Sequence, residues 1–365
     1  MTSPCARLSR VRFGVFSAAA TCLLLTACTS GQVGEADGEL VIGTMLPLTG
    51  AEAEQGSAAR AALEDQLGEI ATASEFDDLQ IRMVHTDVRS DAALVDEALD
   101  ELLANNVDVV IGPPSTSQDA VTKSRLASAG VVLHLPLSQP PEPQAVMMAD
   151  AIIADGHALV SMMLPIGTPV AMSDALASRL SDNGGTLLSH VEYEPSAERF
   201  DPEVAQVADD ESTAVLVIGA GSTQSLVDAL EAVGAGPSSR IVYVLGATSG
   251  ITPTVGLRLI EPLAPLADRA GDRLVVASLA AAKAETDDPA TIAGAVSEVV
   301  SGNTLCSSFD NCLNSLRNDS SVQFAGRGAN GFDATGAPTA VPYSLTAYNA
   351  DGEINEIDSR VITSG

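Results

Sequence analysis

Three consecutive hydroxyl side chains follow a short β-branched run in the sequence. The hydroxyls are Ser115, Thr116 and Ser117, and the run is residues 107–111. The run is typical of a buried parallel strand, and the Gly-Pro-Pro tripeptide after it cannot continue the strand. The hydroxyls then occupy the N-cap and first turn of the next helix, where backbone N–H groups lack partners within the helix. This arrangement is suited to binding an anion; the alternative is that the hydroxyls only cap the helix.

The sequence gives weaker support to catalysis and metal binding than to anion binding. The four histidines do not have metal-ligand spacing, and the pairs of acidic residues lie in polar, loop-like stretches where carboxylates are solvated. A Gly-rich turn at residues 219–224 imitates a dinucleotide fingerprint, but Gln224 stands at the third glycine position. We therefore interpret this turn as lining a cleft, and we expect no enzyme activity, no catalytic residue, no metal and no cofactor.

The start of the chain has the pattern of an export signal. Three arginines precede an apolar run at residues 13–25, which is too short for an ordinary transmembrane helix. The run closes on Leu25-Thr26-Ala27-Cys28, which resembles a bacterial lipobox. This resemblance implies a signal peptide at residues 1–27, lipidation of Cys28, and a flexible tether at residues 28–38. The expected location is the extracytoplasmic face of the cell membrane, and the alternative is a plain secretory signal with an incidental cysteine.

Charge and cysteine content agree with an exported protein. The net charge of the 365-residue chain is −30, which argues against nucleic acid as a partner. Beyond the export signal and Cys28, the chain has two cysteines, Cys306 and Cys312. Because disulfides persist in oxidising compartments, we expect these two to be bonded.

The first part of the body alternates strands and helices. Strands are predicted at residues 40–46, 79–86, 107–111 and 131–135, and helices at 54–70, 92–105 and 119–129. Such alternation predicts a parallel sheet with helices on both faces. A Pro-rich segment at residues 136–143 interrupts the series.

The alternation then restarts, which predicts a second α/β lobe. Helices are predicted at residues 150–164, 173–182, 223–233 and 280–301, and strands at 169–172, 185–193, 213–218 and 240–245. Residues 246–256 interrupt the second series. The last segment, residues 342–357, has the alternation of an antiparallel hairpin.

Several short motifs follow one another along the chain. They are Leu46-Pro47-Leu48-Thr49-Gly50 with Gly56, Asp87 with Asp91-Ala92, Val109-Val110-Ile111-Gly112-Pro113 with Ser115-Thr116, Ala129-Gly130 with Pro136, the Cys306 and Cys312 pair, and Phe324-Ala325-Gly326 with Phe332-Asp333 before the terminal strand that contains Tyr343. Taken together and in this order, they resemble the type I solute-binding proteins of ABC transporters, the group that includes the leucine/isoleucine/valine-binding proteins. The resemblance covers essentially the whole chain after the tether.

The resemblance implies a two-lobed α/β clamp with hinge crossovers, in which each lobe is a parallel sheet flanked by helices. Lobe I is expected to comprise residues 39–137 and 251–330, and lobe II residues 138–250 and 331–365. A small solute is expected in the cleft, where the carboxyl ends of the strands meet. The implied ligand-binding residues are Ser115, Thr116, Ser117, Ser138, Gln139, Ser222 and Thr248.

The implied function is capture of a small polar solute, amino-acid-like or with a carboxylate or amide, for an ABC permease, by a monomer. Two departures from the family keep an alternative open. Relatives bring aromatic side chains from lobe II, but residues 170–174 contain none, and the strand ends at residues 219–222 and 246–248 offer no carboxylate for an ammonium group. The alternative is a lipoprotein of the same fold that acts as a sensor or as a cell-envelope interaction partner.

Overall fold

The computed structural model describes residues 36–50, 52–73, 80–89, 93–131, 133–138, 141–168, 170–194, 196–219, 223–246, 248, 250–318, 321–329 and 331–363. The predicted signal peptide and Cys28 lie outside these residues. None of the helices in the described ranges combines the length and the apolar character that a membrane crossing needs.

The described chain begins with alternating strands and helices, as the sequence pattern predicts. In chain order the first elements are β1 (Glu39–Leu46), α1 (Ala53–Thr72), β2 (Gln80–Asp87), α2 (Ala93–Ala104), β3 (Val109–Ile111), α3 (Thr116–Ala129) and β4 (Leu133–Leu135). The next are α4 (Pro141–Ala154), β5 (Leu159–Pro165), α5 (Val170–Asp182), β6 (Thr186–Tyr193), α6 (Asp201–Ala208), β7 (Ala214–Gly219), α7 (Thr223–Ala232), β8 (Ile241–Gly246) and β9 (Leu257–Pro262).

The remaining elements are mostly helical until the terminal hairpin. They are α8 (Leu266–Ala284), α9 (Pro289–Val300), β10 (Thr304–Cys306), α10 (Phe309–Arg317), β11 (Val322–Phe324), β12 (Ala340–Tyr348) and β13 (Ile354–Thr363). Strands β12 and β13 pair antiparallel, so the predicted hairpin is confirmed.

The first sheet has four parallel strands in the order β2-β1-β3-β4. The three residues of β3 are completely buried because helices cover both faces of the sheet. One face packs against α1, α8 and α9 in a core that contains Leu40, Ile42 and Ile111. The other face packs against α2 and α3 through a core that contains Val41 and Val110.

The second sheet has seven strands in the order β13-β12-β9-β8-β7-β5-β6. Strands β5 to β9 are parallel to one another, and the hairpin β12-β13 extends this sheet beyond β9, with β12 antiparallel to β9. Apolar clusters lie on its two faces, one including Met162, Leu216 and Tyr343 and the other including Val215 and Val244. Two helix-flanked sheets of this kind confirm the predicted fold class.

The predicted second crossing between the lobes disagrees with the strand pairing. Strand β9 lies in the segment 251–330 that the sequence analysis assigned to lobe I, but it hydrogen-bonds between β8 and β12 in the seven-stranded sheet. The chain returns to lobe I at α8, which packs against α1. We therefore propose that the second crossing lies between β9 and α8, with lobe II extending to Pro262.

Three predicted elements are also wrong. Residues 150–164 were predicted as one helix, but α4 ends at Ala154 and the following apolar residues form β5. Residues 169–172 were predicted as a strand, but residues 170–172 form the first turn of α5. Residues 280–301 were predicted as one helix but contain the end of α8 and all of α9, which is separated from it by Asp288 as N-cap and Pro289 at the first helical position.

Cys306 and Cys312 form a disulfide in the structure, with an S–S distance of 2.02 Å and a Cα–Cα distance of 5.3 Å. Cys306 ends β10 and Cys312 lies in α10. Both are buried in the core of lobe I, so the bond joins the small β10-β11 sheet to the helix that covers it.

Candidate ligand-binding cleft

The turn after β3 has a backbone that only glycine accommodates well. Gly112 has φ of +108°, and an added Cβ would lie 2.5 Å from the carbonyl oxygen of Met45. The peptide bond between Gly112 and Pro113 is cis. The Gly112 carbonyl oxygen lies 2.6 Å from His134 Nε2, and the Pro113 carbonyl accepts from the amide of Ser138 at 3.1 Å. These contacts fix the turn against β4 and against residues 136–138, which begin the first crossing between the lobes.

Ser115 is the N-cap residue of α3, as the sequence predicts, but its side chain makes no capping hydrogen bond. It lines the cleft between the two sheets instead. Thr116 and Ser117 form the first turn of α3; the structure does not describe where their side chains lie. Ser115 therefore lies where a ligand in the cleft would meet the start of α3.

A second loop of lobe I is held beside this turn by Asp87 at the end of β2. Its carboxylate accepts hydrogen bonds from the amides of Leu48 at 2.9 Å and Thr49 at 3.2 Å, and from the Thr49 hydroxyl at 2.5 Å. Burial raises the pKa of Asp87, but hydrogen bonds from the hydroxyl and amide of Thr49 and from the side chain and amide of Arg89 together lower it below its usual value. Asp87 therefore stays ionised and fixes the loop that carries Pro47 into the cleft.

The cleft has a volume of about 510 Å³ and lies where the carboxyl ends of the parallel strands of both sheets meet. This is the expected position for a ligand in open α/β sheets, and the volume is in the usual range for a small molecule. Residues at or just after these strand ends line it: Pro47, Pro114 and Ser115 from the four-stranded sheet, and Pro165, Gly219, Gly246 and Pro262 from the seven-stranded sheet.

Lobe II contributes a carboxylate, contrary to the sequence analysis. Glu261, near the end of β9, lines the cleft together with Thr248, whose hydroxyl donates to Glu261 Oε1. Sequence reasoning missed Glu261 because it did not recognise β9 as a strand of this lobe. The Leu-Arg-Leu-Ile run just before it was the available signal. Thr248, which follows the strand end that the sequence analysis considered, lies in this cleft.

Lobe II also contributes an aromatic side chain, so the inference of missing aromatics is wrong. Tyr343 of β12 lines the cleft and is completely buried. The cleft-lining residue within the segment 170–174 is Met172. The aromatic side chain thus comes from the hairpin at the end of the chain, which joins the sheet only through tertiary pairing.

A cation lines the cleft from the start of α8. Arg269 is 8% exposed, and its Nη1 donates to the Leu137 carbonyl of the first crossing. Burial lowers the pKa of Arg269 to about 10, which leaves the guanidinium protonated at neutral pH. Nothing in the local sequence marks Arg269, since its position depends on how α8 packs.

The remaining predicted site residues have different outcomes. Ser138 is buried beside the turn after β3 and does not line the cleft. Gln139, Ser222 and Cys28 lie outside the described residues. Among the described side chains, no group of three or more His, Cys, Asp or Glu residues could hold a metal ion.

A family model described as periplasmic binding protein matches residues 39–300, which is more than half of the chain. The chain belongs to the periplasmic binding protein family. Its two helix-flanked sheets and the resemblance to leucine/isoleucine/valine-binding proteins identify the type I form of this family. No curated protein sequence matches the chain significantly.

Solved structures share this periplasmic-binding-protein fold at low sequence identity. The branched-chain amino acid binding protein LivJ of Streptococcus pneumoniae, in complex with isoleucine, has a TM-score of 0.63 at 14% identity, over 89% of this chain and 100% of LivJ. A Rhodopseudomonas palustris ABC-transporter solute-binding protein in complex with 4-hydroxybenzoate has a TM-score of 0.66 at 14% identity, over 89% and 98% of the two chains. The leucine-binding protein LivK of Thermotoga maritima has a TM-score of 0.65 at 14% identity, over 89% and 99%.

Proposed function

We propose that this protein is the extracytoplasmic solute-binding lipoprotein of an ABC importer. It captures a small polar solute between its lobes and presents the closed, loaded form to a membrane permease. It has no enzymatic role in this proposal, and one chain suffices because both walls of the cleft come from the same chain.

The observation that carries the proposal is the composition of the cleft. Polar groups from both lobes line one space at the strand ends: Ser115 from lobe I, and Thr248 and Glu261 from lobe II. A ligand that contacts both sets is held better when the lobes are close together. Because a ligand shifts a conformational equilibrium by its differential affinity for the two states, such a ligand favours closure.

The structural neighbours support a role in binding a small solute. Two of them were solved with isoleucine and with 4-hydroxybenzoate, and their descriptions connect them with transport. Both ligands are small and carry a carboxylate. At 14% identity the particular solute of this protein does not follow from theirs.

Screening for thermal stabilisation tests solute capture. Amino acids, organic acids, amides, small peptides and sugars are each added to the purified protein. A ligand at 100 times its Kd is expected to add about 2.7 kcal/mol to the free energy of unfolding, which raises Tm visibly. No stabilisation by any compound would contradict solute capture and favour the sensor or cell-envelope interaction role.

Ser115→Ala is expected to weaken the binding of a compound found in that screen by about 1–2 kcal/mol, because a cleft hydrogen bond is lost. Isothermal titration measures the change in Kd. Ser128→Ala is the matched control: Ser128 lies in the same helix, is exposed, and its hydroxyl bonds only to the Ser124 carbonyl. Equal affinities of the two variants would place the ligand away from the turn after β3.

Cys28→Ala is expected to release the protein from the membrane, because the diacylglyceryl anchor requires that thiol. Fractionation of cells and metabolic labelling with a fatty acid measure the anchor. Cys5→Ala keeps Cys28 and should remain membrane-bound and labelled. The last two residues of the predicted tether are bound to the folded body, because the amides of Asp37 and Gly38 each donate to the Asp287 carboxylate at 2.7 Å. Membrane retention of an unlabelled Cys28→Ala variant would rule out lipid anchoring at this position.

A further inference from the structure

Arg269 is held in the cleft by one end of its guanidinium. Nη1 donates to the Leu137 carbonyl, whereas Nε is buried and has no hydrogen-bond partner among the described residues. The side chain is more than nine-tenths buried and lines the cleft. Burying a charged donor without an acceptor is costly, and in the cleft an acceptor of a bound ligand can satisfy this Nε–H.

Tyr343 provides a second donor next to Arg269, with which it interacts electrostatically. Burial raises the pKa of the Tyr343 hydroxyl, and Arg269 and the Gln144 amide lower it by less. The hydroxyl is nevertheless buried without a hydrogen-bond partner among the described residues. Gln144 also lines the cleft. The phenol is therefore protonated and able to donate to a ligand.

The surrounding charges make this place distinctive within the cleft. Glu52, Glu54 and Glu261 line the cleft, and Arg269 is the cation among its described lining residues. The Glu52 carboxylate is close enough to raise the pKa of Arg269, although burial has the larger, opposite effect. An anion close to these glutamates is repelled, so Arg269 offers an acid group the one charge-assisted contact among the described lining residues.

The start of α8 strengthens the attraction for an anion. Leu266 and Ala267 are the first residues of this 19-residue helix, and both line the cleft. The amides of a first helical turn have no carbonyl partner within the helix and carry the positive end of its dipole. They support the two side-chain donors, which provide the specific contacts.

We infer that Arg269 and Tyr343 form a subsite for an acid group of the solute, in which a carboxylate accepts from Arg269 Nε and from the Tyr343 hydroxyl. The inference rests on the proposed function and narrows its ligand class to carboxylic acids. It also places anion recognition on α8 and β12, as well as on the turn after β3. An acid should therefore bind more tightly than its primary amide, which has the same shape but no charge.

Matched acids and amides test the subsite. Leucine with leucinamide, benzoate with benzamide, and succinate with its diamide succinamide are titrated into the purified protein. For the best-binding acid, Arg269→Gln is expected to raise Kd about 10- to 100-fold, and Tyr343→Phe about 3- to 10-fold, in line with charged and neutral hydrogen bonds. Both variants should reduce the preference for the acid over its amide.

The chain offers a control for each variant. Arg273 is on the same helix, donates from Nε to the Pro136 carbonyl at 3.2 Å, and packs over the Phe332 ring at 4.9 Å, but does not line the cleft. Tyr243 is a buried strand tyrosine whose hydroxyl bonds to Asp155. Arg273→Lys and Tyr243→Phe should keep the acid-over-amide preference within about twofold, even where they lower Tm.

The outcomes separate the subsite from the proposed function. Equal binding of acid and amide, or an equal loss in Arg269→Gln and Arg273→Lys, would overturn the subsite and leave solute capture intact. Silence of every acid and amide, together with the wider library, would overturn both. If Arg269→Gln does not fold, Tyr343→Phe carries the test, because it removes only one hydroxyl group.

Discussion

Gly56→Ala is expected to destabilise the protein by about 2–4 kcal/mol, because the added methyl group has no room. Gly56 is in the second turn of α1, and its Cβ would lie 2.1 Å from the carbonyl oxygen and 2.6 Å from the carbonyl carbon of Pro47. Both atoms are backbone, so no side chain can rotate away. Pro47 lines the cleft, and the variant should therefore also weaken solute binding.

Gly68→Ala is the matched control for this substitution. Gly68 is in the same helix, and a Cβ there meets no other atom within 4 Å. Alanine should stabilise the helix at this position by about 0.5–1 kcal/mol, because it has the higher helix propensity. Urea unfolding measures both variants. A Gly56→Ala protein as stable as Gly68→Ala would contradict the close packing of α1 against the loop after β1.

Asp108→Asn is expected to stabilise the protein by about 2–4 kcal/mol at pH 8 and to change stability little at pH 4. Asp108 is 3% exposed, and its Oδ2 accepts a hydrogen bond from the Val41 amide at 2.8 Å. Burial, with smaller contributions from Asp287 and Asp37, raises its pKa from 3.8 to about 7. The asparagine carbonyl can accept the same hydrogen bond without a charge.

The direction of the pH effect follows from proton linkage. Between pH 3.8 and about 7 the folded protein holds a proton on Asp108 that the unfolded chain has released. The corresponding stability is therefore complete below the unfolded pKa and is lost as pH rises through the folded value. Urea unfolding from pH 4 to pH 8 should show this decline in the wild-type protein and a smaller one in the variant.

Asp288→Asn separates this effect from a general effect of charge. Asp288 is the N-cap of α9, and its carboxylate accepts from the Thr291 amide at 2.8 Å. Hydrogen bonds from Thr291 lower its pKa, so its contribution is present above the unfolded pKa and is lost only as pH falls below it. The Asp288→Asn variant should therefore show the same dependence of the free energy of unfolding on pH between pH 5 and pH 8 as the wild-type protein. The same change of slope in both variants would contradict the assignment to Asp108.

Local patterns predicted the first lobe well because its signals are strong. Apolar β-branched strands alternate with helices, and glycine or proline marks the boundaries. The same reasoning failed at residues 150–164 because α4 and β5 are both apolar and buried. Periodicity cannot separate a buried helix from a buried parallel strand, and Gly156, with φ of +85°, was the only local break.

The sequence analysis did not predict β9, and this error affected the predicted site as well as the predicted fold. The short run Leu257–Pro262 follows an irregular segment, and its partners β8 and β12 are distant from each other in sequence. Without those partners, Glu261 had no predicted place in lobe II. The correct sheet order therefore had to be known before the carboxylate in the cleft could be found.

Local sequence patterns were enough to predict the two-lobed α/β class, the family and the turn that presents Ser115, and to suggest the export signal. These depend on short-range signals, namely strand runs, glycine and proline positions, and helix starts, which are encoded by neighbouring residues. Only the tertiary structure decided that Arg269 of α8, Glu261 of β9 and Tyr343 of β12 line the same cleft as Ser115. Their convergence depends on long-range strand pairing and helix packing, for which no pattern of adjacent residues provides a signal.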